Sequence, residues 1–350
     1  VDTLNQSQST NRQILLASRP SGAPTAENFK LVSSSKPEPA EGEVLLRTVY
    51  LSLDPYMRGR MNDAKSYADP VAINGVMVGG SVCRVELSRN ANFAVGDWVV
   101  AGGGWQDFSV SNGADLVKID STLVKPSYGL GVLGMPGLTA YMGLLDIGQP
   151  EAGETVVVAA ATGAVGSLVG QIAKIKGCKV VGIAGGAEKC DYAVKKLGFD
   201  ACLDHYSEDL PAQLANACAD GIDVYFENVG GRVFDAVMPL LNPSARVPLC
   251  GLISQYNATA LPEGPDRMSA LMGTLLVKRV KMQGFIVFDD YGHRYPEFFA
   301  AMQQWLSQGQ IHYKEHLVDG LENSVEAFIG LLEGKNFGKL VVRVGPDNLA

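Results

Sequence analysis

Between Thr155 and Ala184 the spacing of hydrophobic positions changes twice. Thr155–Ala160 is a run rich in β-branched valine, the pattern of a strand buried on both faces. Leu168, Val169, Ile172 and Ala173 then recur at helical spacing, and Gly177 closes that helix. Lys179–Ala184 is a second strand run. Two parallel strands need such a crossover, which is almost always right-handed. Thr155–Ala173 holds 19 residues without a charge, long enough to suggest a membrane span. A glycine-containing turn divides it, and its first half is β-branched, so it reads as strand plus helix.

Ahead of this unit the runs are short. Gln13–Ala17, Val44–Leu53, Val78–Val85, Trp98–Val100 and Leu116–Ile119 read as strands. Gly79-Gly80, Gly96-Asp97 and Gly102-Gly103-Gly104 punctuate them, and little has helical period. Residues 1–130 are therefore expected to form a mainly β, barrel-like domain. Leu133–Leu145 reads as a helix that leads into strand–helix alternation. Asp223–Glu227, Arg246–Leu252 and Lys281–Val287 are further strands, which makes residues 131–311 an α/β domain with a doubly wound parallel sheet. From residue 312 the chain turns β-like again and ends in Lys339-Leu-Val-Val-Arg-Val. Residues 312–350 are expected to return to the first domain, so that the second is an insertion with a cleft at the junction.

The turn itself, Ala161-Thr162-Gly163-Ala164-Val165-Gly166, carries the first chemistry. Gly163 lets a pyrophosphate approach the backbone, and Gly166 lets the helix pack close to the strand. The N–H groups and the positive dipole end at the helix start favour an anion. Ala161 stands where the first glycine of G-x-G-x-x-G is usual. An NAD site places Asp or Glu at the second strand's tip, roughly 20 residues past the glycines. Here the tip is Ala184-Gly185-Gly186, followed by Lys189, which suits a 2′-phosphate and hence NADPH. Glu188 stands against that choice, since it could bind a ribose hydroxyl, or could serve only as a first-turn acid.

Composition narrows the classes. Of 350 residues 47% are hydrophobic, and the net charge is −8, which argues against non-specific binding to nucleic acid or anionic membrane. Cys83, Cys178, Cys190, Cys202, Cys218 and Cys250 are scattered without C-x-x-C, so neither a zinc site nor a redox dithiol is signalled. Cys178 and Cys250 read as inert core thiols. His312 and His316 are four apart but lack the H-E-x-x-H context, and read as solvent-facing side chains rather than metal ligands. The polar N-terminal stretch lacks a signal-peptide apolar core, and a cytoplasmic protein with reduced thiols is expected.

Six ordered stretches match a known family: Leu51-Ser-Leu-Asp-Pro-Tyr-Met-Arg-Gly-Arg-Met61, Gly134-Met-Pro-Gly-Leu-Thr-Ala-Tyr141, Ala159–Gly166, Glu227-Asn-Val-Gly-Gly231, Cys250-Gly-Leu-Ile-Ser-Gln-Tyr-Asn257 and Gly334-Lys-Asn-Phe-Gly-Lys339. The chain resembles the zinc-independent medium-chain dehydrogenases/reductases, in particular the alkenal/enone double-bond reductases. The resemblance implies a GroES-like β domain completed by the C-terminal tail, an inserted Rossmann domain and a homodimer. It also implies hydride transfer from NADPH to the β-carbon of an α,β-unsaturated carbonyl compound, with a proton added at the α-carbon. Zinc-dependent relatives carry Gly-His-Glu where this chain has Gly75-Val-Met-Val-Gly-Gly80, so no metal is expected.

Carried over residue by residue, the resemblance assigns Tyr256 as proton donor or enolate stabiliser, with water or a ribose hydroxyl as alternative proton sources. It makes Tyr56 a wall of the substrate site. Gly163, Ala164, Val165 and Gly166 line the pyrophosphate, with Gly186 at the ribose tip. Lys189 meets the 2′-phosphate, and Asn228 lies on the adenine-ribose side. Cys250, Ser254 and Tyr256 flank the ribose, and Phe285 and Asn336 approach the nicotinamide and diphosphate. Relatives often place a tyrosine where His205 falls here, with Tyr206 beside it, and either could contact the 2′-phosphate. Met57, Tyr67, Phe288 and Tyr291 are added as aromatic or apolar candidates for a wall that suits a diaryl enone. Quinone reduction within the same superfamily, and a non-catalytic nucleotide-binding role, are the rival readings.

Overall fold

The computed structural model describes residues 10–122 and 124–347. The chain divides into two compact units. One runs up to Leu130 and adds Glu315–Asn336 and the residues from Leu340 onward; the other is Gly131–Lys314 with Phe337–Lys339.

The first unit is mainly β. β1 (Thr10–Leu16) and β2 (Phe29–Ser35) form an antiparallel pair. β3 (Val44–Ser52), β4 (Ser81–Ser88), β5 (Trp98–Ala101), β6 (Phe108–Ser111) and β7 (Val117–Ile119) belong to a second sheet. That sheet takes in β14 (Glu315–Asp319) and β15 (Lys339–Arg343) near the end of the chain, in the order β14-β15-β3-β4-β5-β7, with β6 also on β3. β3 is almost continuously apolar and buried because it pairs with β4, β6 and β15. Register shifts against β4 fall at Leu45/Leu46 and Thr48/Tyr50. Such bulges bend a strand and re-aim its side chains, so Val44 and Leu46 pack on Val99 while Val49 and Tyr50 pack on Val82 and Val341. A further core gathers around Trp105, stacked on Phe29 at 5.8 Å and met edge-on by Phe328 at 5.5 Å. Phe328 comes from the helix Ser324–Leu332, which interrupts a stretch expected to be β-like.

The second unit is α/β. Its strands are β8 (Thr155–Ala159), β9 (Lys179–Ala184), β10 (Ala201–Asp204), β11 (Ile222–Phe226), β12 (Leu241–Leu249) and β13 (Lys281–Gly284). They form one parallel sheet in the order β10-β9-β8-β11-β12-β13. The order reverses between β8 and β11, and ligands of such sheets bind beyond the strand C-termini at that reversal. β8 is buried along its whole length, as its valines require. The expected helix at Leu133–Leu145 runs Met135–Met142 and widens into a π-type turn over Gly143–Gly148. The run Lys281–Val287 splits into β13 and a one-turn helix, Val287–Tyr291.

β2, β6 and β10 were not expected. β2 reads FKLVSSS with a largely exposed face, β6 has four residues, and β10 (ACLD) is a short edge strand. β2 and β10 lack the alternation or valine density by which a strand is recognised, and the alternation Phe-Ser-Val-Ser of β6 is too short to stand out. No helix among the described residues is long and apolar enough to cross a membrane. The uncharged stretch Thr155–Ala173 is instead β8, the turn and the start of the helix Gly166–Ile175.

Candidate active site

The turn after β8 is built by sterics. Ala160 adopts a left-handed φ of 52°, a conformation that costs a non-glycine residue about 1–2 kcal/mol. Its carbonyl accepts the Gly163 N–H at 2.9 Å. A Cβ at Gly166 would lie 2.2 Å from that same oxygen, so only glycine lets the helix Gly166–Ile175 begin there. At Gly163 the nearest atom to a Cβ is the Ala160 oxygen at 3.2 Å, a milder constraint. Ser167 ties the helix back to the turn through its N–H and Oγ, at 3.1 and 2.7 Å from the Gly163 carbonyl. The N–H groups of Ala164, Val165 and Gly166 stand at a helix start, the arrangement that binds phosphate anions.

The tip of β9 collects charge from four elements. Gly186 takes a φ of 88°, and its N–H donates to Asp204 Oδ1 at 3.0 Å, as does the Tyr206 N–H. A carboxylate therefore does stand near the tip, contributed by β10 and occupied with backbone donors. Gly185 lies under two rings: a Cβ there would sit 3.0 Å from His205 Nε2 and 3.1 Å from Tyr206 Cε2. His205 and Tyr206 pack with centroids 4.1 Å apart, so both sequence candidates reach the tip. Burial lowers the Lys189 ammonium below its ordinary range. Burial also lowers His205, and the charges of Lys189 and Arg232 add to this while Asp204 opposes it. Arg232 donates to the carbonyls of His205, at 3.4 Å, and Ser207. Glu188 is exposed. Arg232 and Asp204 were not found from sequence, because nothing local in either stretch links it to the Gly185-Gly186 tip.

The ends of β11 and β12 form the next wall. Asn228 Nδ2 donates to the Ala159 carbonyl at 2.8 Å, tying this loop to the end of β8. Ser254 donates to the Val229 carbonyl through N–H at 3.1 Å and Oγ at 2.6 Å. The Tyr256 hydroxyl accepts the Leu252 N–H at 3.3 Å, and a Cβ on Gly251 would lie 2.9 Å from it. The Cys250 thiol is pushed up to about 12 by burial and then by Glu227, so it is not a nucleophile. Cys178 is buried, and its thiol is raised by that burial. Phe285 is buried and meets Tyr291 edge-on at 6.2 Å.

Tyr56 and Asn336 belong to the β unit. Burial, then the charge of Asp54, raises the Tyr56 phenol above its ordinary range. Of the candidate wall residues, Met57 and Tyr291 are buried, whereas Tyr67 and Phe288 are more than half exposed. The backbone of His312 is clamped by Gln171, whose amide donates to the His312 carbonyl and accepts its N–H. No group of three or more His, Cys, Asp or Glu side chains among the described residues could hold a metal ion.

Residues 12–119 match the family described as the N-terminal domain of oxidoreductase, and residues 164–305 the family described as zinc-binding dehydrogenase. The chain is 62% identical over 345 residues to the NADPH-dependent curcumin reductase of Escherichia coli (strain K12), covering 99% of this chain and 100% of that one. It is 40% identical over 345 residues to the NADP(+)-dependent 2-alkenal reductase of Nicotiana tabacum, covering 97% and 98%. Its fold superposes on CurA from Vibrio vulnificus in complex with NADPH with a TM-score of 0.94, at 69% identity, over 96% of this chain and 99% of that one.

The steric reading of the turn gives a direct test. Gly166→Ala is expected to weaken NADPH by about 100-fold or more, because a 2.2 Å contact must be relieved by moving the helix start. Isothermal titration with NADPH checks it, and a dissociation constant within a factor of three of wild type would refute it.

Proposed function

The chain belongs to the medium-chain dehydrogenase/reductase family, alongside its curcumin, alkenal and prostaglandin reductases, and on that premise we propose that it reduces the C=C bond of α,β-unsaturated ketones and aldehydes with NADPH, curcumin-like diaryl enones among them. The whole-length likeness to the curcumin reductase carries this reading. The rival readings, quinone reduction and non-catalytic nucleotide binding, have no comparable observation behind them.

The residues present fit the cofactor. Gly163, Ala164, Val165 and Gly166 would hold the pyrophosphate at the helix start, and Gly186, Lys189 and His205, with Arg232 added, would hold the 2′-phosphate. The partly buried Lys189 ammonium, already lowered in basicity, suits an anionic ligand because it gains a counter-charge on binding, and the His205 imidazole, which burial disfavours from protonating, offers a ring N–H beside it. Asn228, Cys250, Ser254 and Phe285 would complete the ribose and nicotinamide side. Bound NADPH supplies the hydride for the β-carbon.

The chain's own groups manage the charge and the proton. Negative charge builds on the substrate carbonyl oxygen, and donors placed in advance lower that barrier most. Tyr256 is the assigned donor: a phenol is neutral at pH 7 yet can give a hydrogen bond or a proton. The Leu252 N–H on its oxygen stabilises the charge left as the proton departs. The raised Tyr56 phenol of the β unit stays protonated. No step needs a metal, in keeping with the absence of Gly-His-Glu from this sequence.

A homodimer is part of the proposal. The helix Met268–Lys278 buries none of its side chains, and Met268, Met272 and Leu276 line one stripe at 59%, 58% and 78% exposure. The open sheet edge at β13 follows it directly. An exposed apolar stripe next to an unpaired edge favours pairing with a second copy. A cytoplasmic setting is supported by six cysteines without a disulfide, and the net charge of −8 supports the lack of a nucleic-acid partner.

Three outcomes are expected. Lys189→Ala should raise the KM for NADPH by about 10- to 100-fold while leaving that for NADH within about twofold; equal losses for both would remove the 2′-phosphate role. Tyr256→Phe should lower the single-turnover rate on an aryl enone, followed at 340 nm, by roughly 100-fold, and an unchanged rate would remove the donor role. Replacing Leu276 and Val277 by Asp should halve the mass seen by light scattering, whereas an unaltered dimer would place the interface elsewhere.

A further inference from the structure

We propose that Glu227 is a positioning residue for Tyr256: its buried carboxylate fixes the turn 228–231, and that turn fixes the loop 250–256 on which the phenol is carried. The proposal rests on Tyr256 being the proton donor.

Glu227 follows β11 and is 1% exposed. Its Oε1 accepts three donors: the Val229 N–H at 2.6 Å, the Gly230 N–H at 2.8 Å and the Tyr225 hydroxyl at 2.9 Å. Oε2 is buried without a hydrogen-bond partner among the described residues. Three donors on one oxygen stabilise the carboxylate form, while burial raises the group above its ordinary range. A carboxyl kept here despite that penalty holds a backbone shape that apolar packing cannot dictate. The shape is unusual, since Gly230 and Gly231 both take positive φ, 75° and 55°.

The turn then grips the second loop through backbone groups. The Glu227 carbonyl accepts the N–H of Cys250 at 3.0 Å and of Gly251 at 3.1 Å, and the Asn228 carbonyl accepts that of Ile253 at 3.2 Å. The Val229 carbonyl accepts both donors of Ser254. A Cβ on Gly230 would lie 2.9 Å from Leu252 Cδ2, so the two loops pack without slack. Tyr256 ends the short 3-10 turn Ile253–Gln255, and its hydroxyl folds back onto the Leu252 N–H. Each link from carboxylate to phenol is thus a hydrogen bond or a packing contact. Through these links Glu227 acts on the phenol by way of the loop that carries it.

The test is a double-mutant cycle of Glu227→Gln and Tyr256→Phe. An amide oxygen accepts more weakly than a carboxylate, and its NH2 would occupy the partnerless Oε2 position. Glu227→Gln is expected to lower the single-turnover rate about tenfold in wild type but less than about twofold in the Tyr256→Phe background. NADPH affinity, read by fluorescence titration, should stay within about threefold. Equal losses in both backgrounds overturn the proposal while leaving Tyr256 as donor. A loss of NADPH affinity that matches the rate loss also overturns it, assigning Glu227 to the cofactor cradle. An unaltered rate for Tyr256→Phe alone overturns the donor role and this proposal with it. Should Glu227→Gln not fold, Tyr225→Phe removes one of the three donors and carries the same cycle, with about a threefold loss expected.

Discussion

A contact that only glycine permits underlies the nucleotide-binding unit. The Ala160 carbonyl points to where a side chain at residue 166 would begin, and the absence of that side chain lets the helix start against the strand end. The close start brings a helix N-terminus, with its N–H groups and dipole, to the reversal point of the parallel sheet. The strain at Ala160 belongs to the same arrangement. A left-handed alanine persists because the hydrogen bond from Gly163 and the docked helix determine its conformation from both sides.

Around this anchor the unit separates two tasks. At the β9 tip it concentrates positive charge in a chain that is acidic as a whole. Lys189 and Arg232 come from separate elements and supply that charge, while burial keeps the His205 ring beside them from protonating. Asp204 lies among them yet spends its carboxylate on two backbone N–H groups, which leaves the tip able to receive an anion. At the ends of β11 and β12 the unit provides rigidity instead, with two loops held to each other by backbone hydrogen bonds. In the proposed function, charge at one end would select the coenzyme and fixed geometry at the other would serve the reaction, where a displacement of an ångström is costly.

The Cys250 thiol and the buried Glu227 carboxyl fit this division. The thiol is raised enough to stay protonated at neutral pH, so its place beside the proposed ribose site is one of packing. Glu227 tolerates burial because donors surround one of its oxygens. The charge of Glu227 adds to the rise of the Cys250 thiol, which keeps that sulfur protonated.

Periodicity and glycine placement alone determined the β8–helix–β9 unit, its glycine turn, the Ala184-Gly185-Gly186 tip that carries no acid of its own, and the mainly β character of the first 130 residues. These follow from interactions within a few residues, so the chain displays them locally. Strands β2, β6 and β10 stayed hidden because short or polar strands are made by the neighbours they pair with. The helix Ser324–Leu332 was hidden among β-like runs, although its Phe328 completes the Trp105 core. Only the tertiary structure decided that Asp204 meets Gly186, that Arg232 straps the loop of His205, and that Glu227 braces the loop of Tyr256. Such contacts join positions about 20 or more residues apart in the chain, where no local spacing records them; the parallel sheet brings them together by placing successive strand ends side by side.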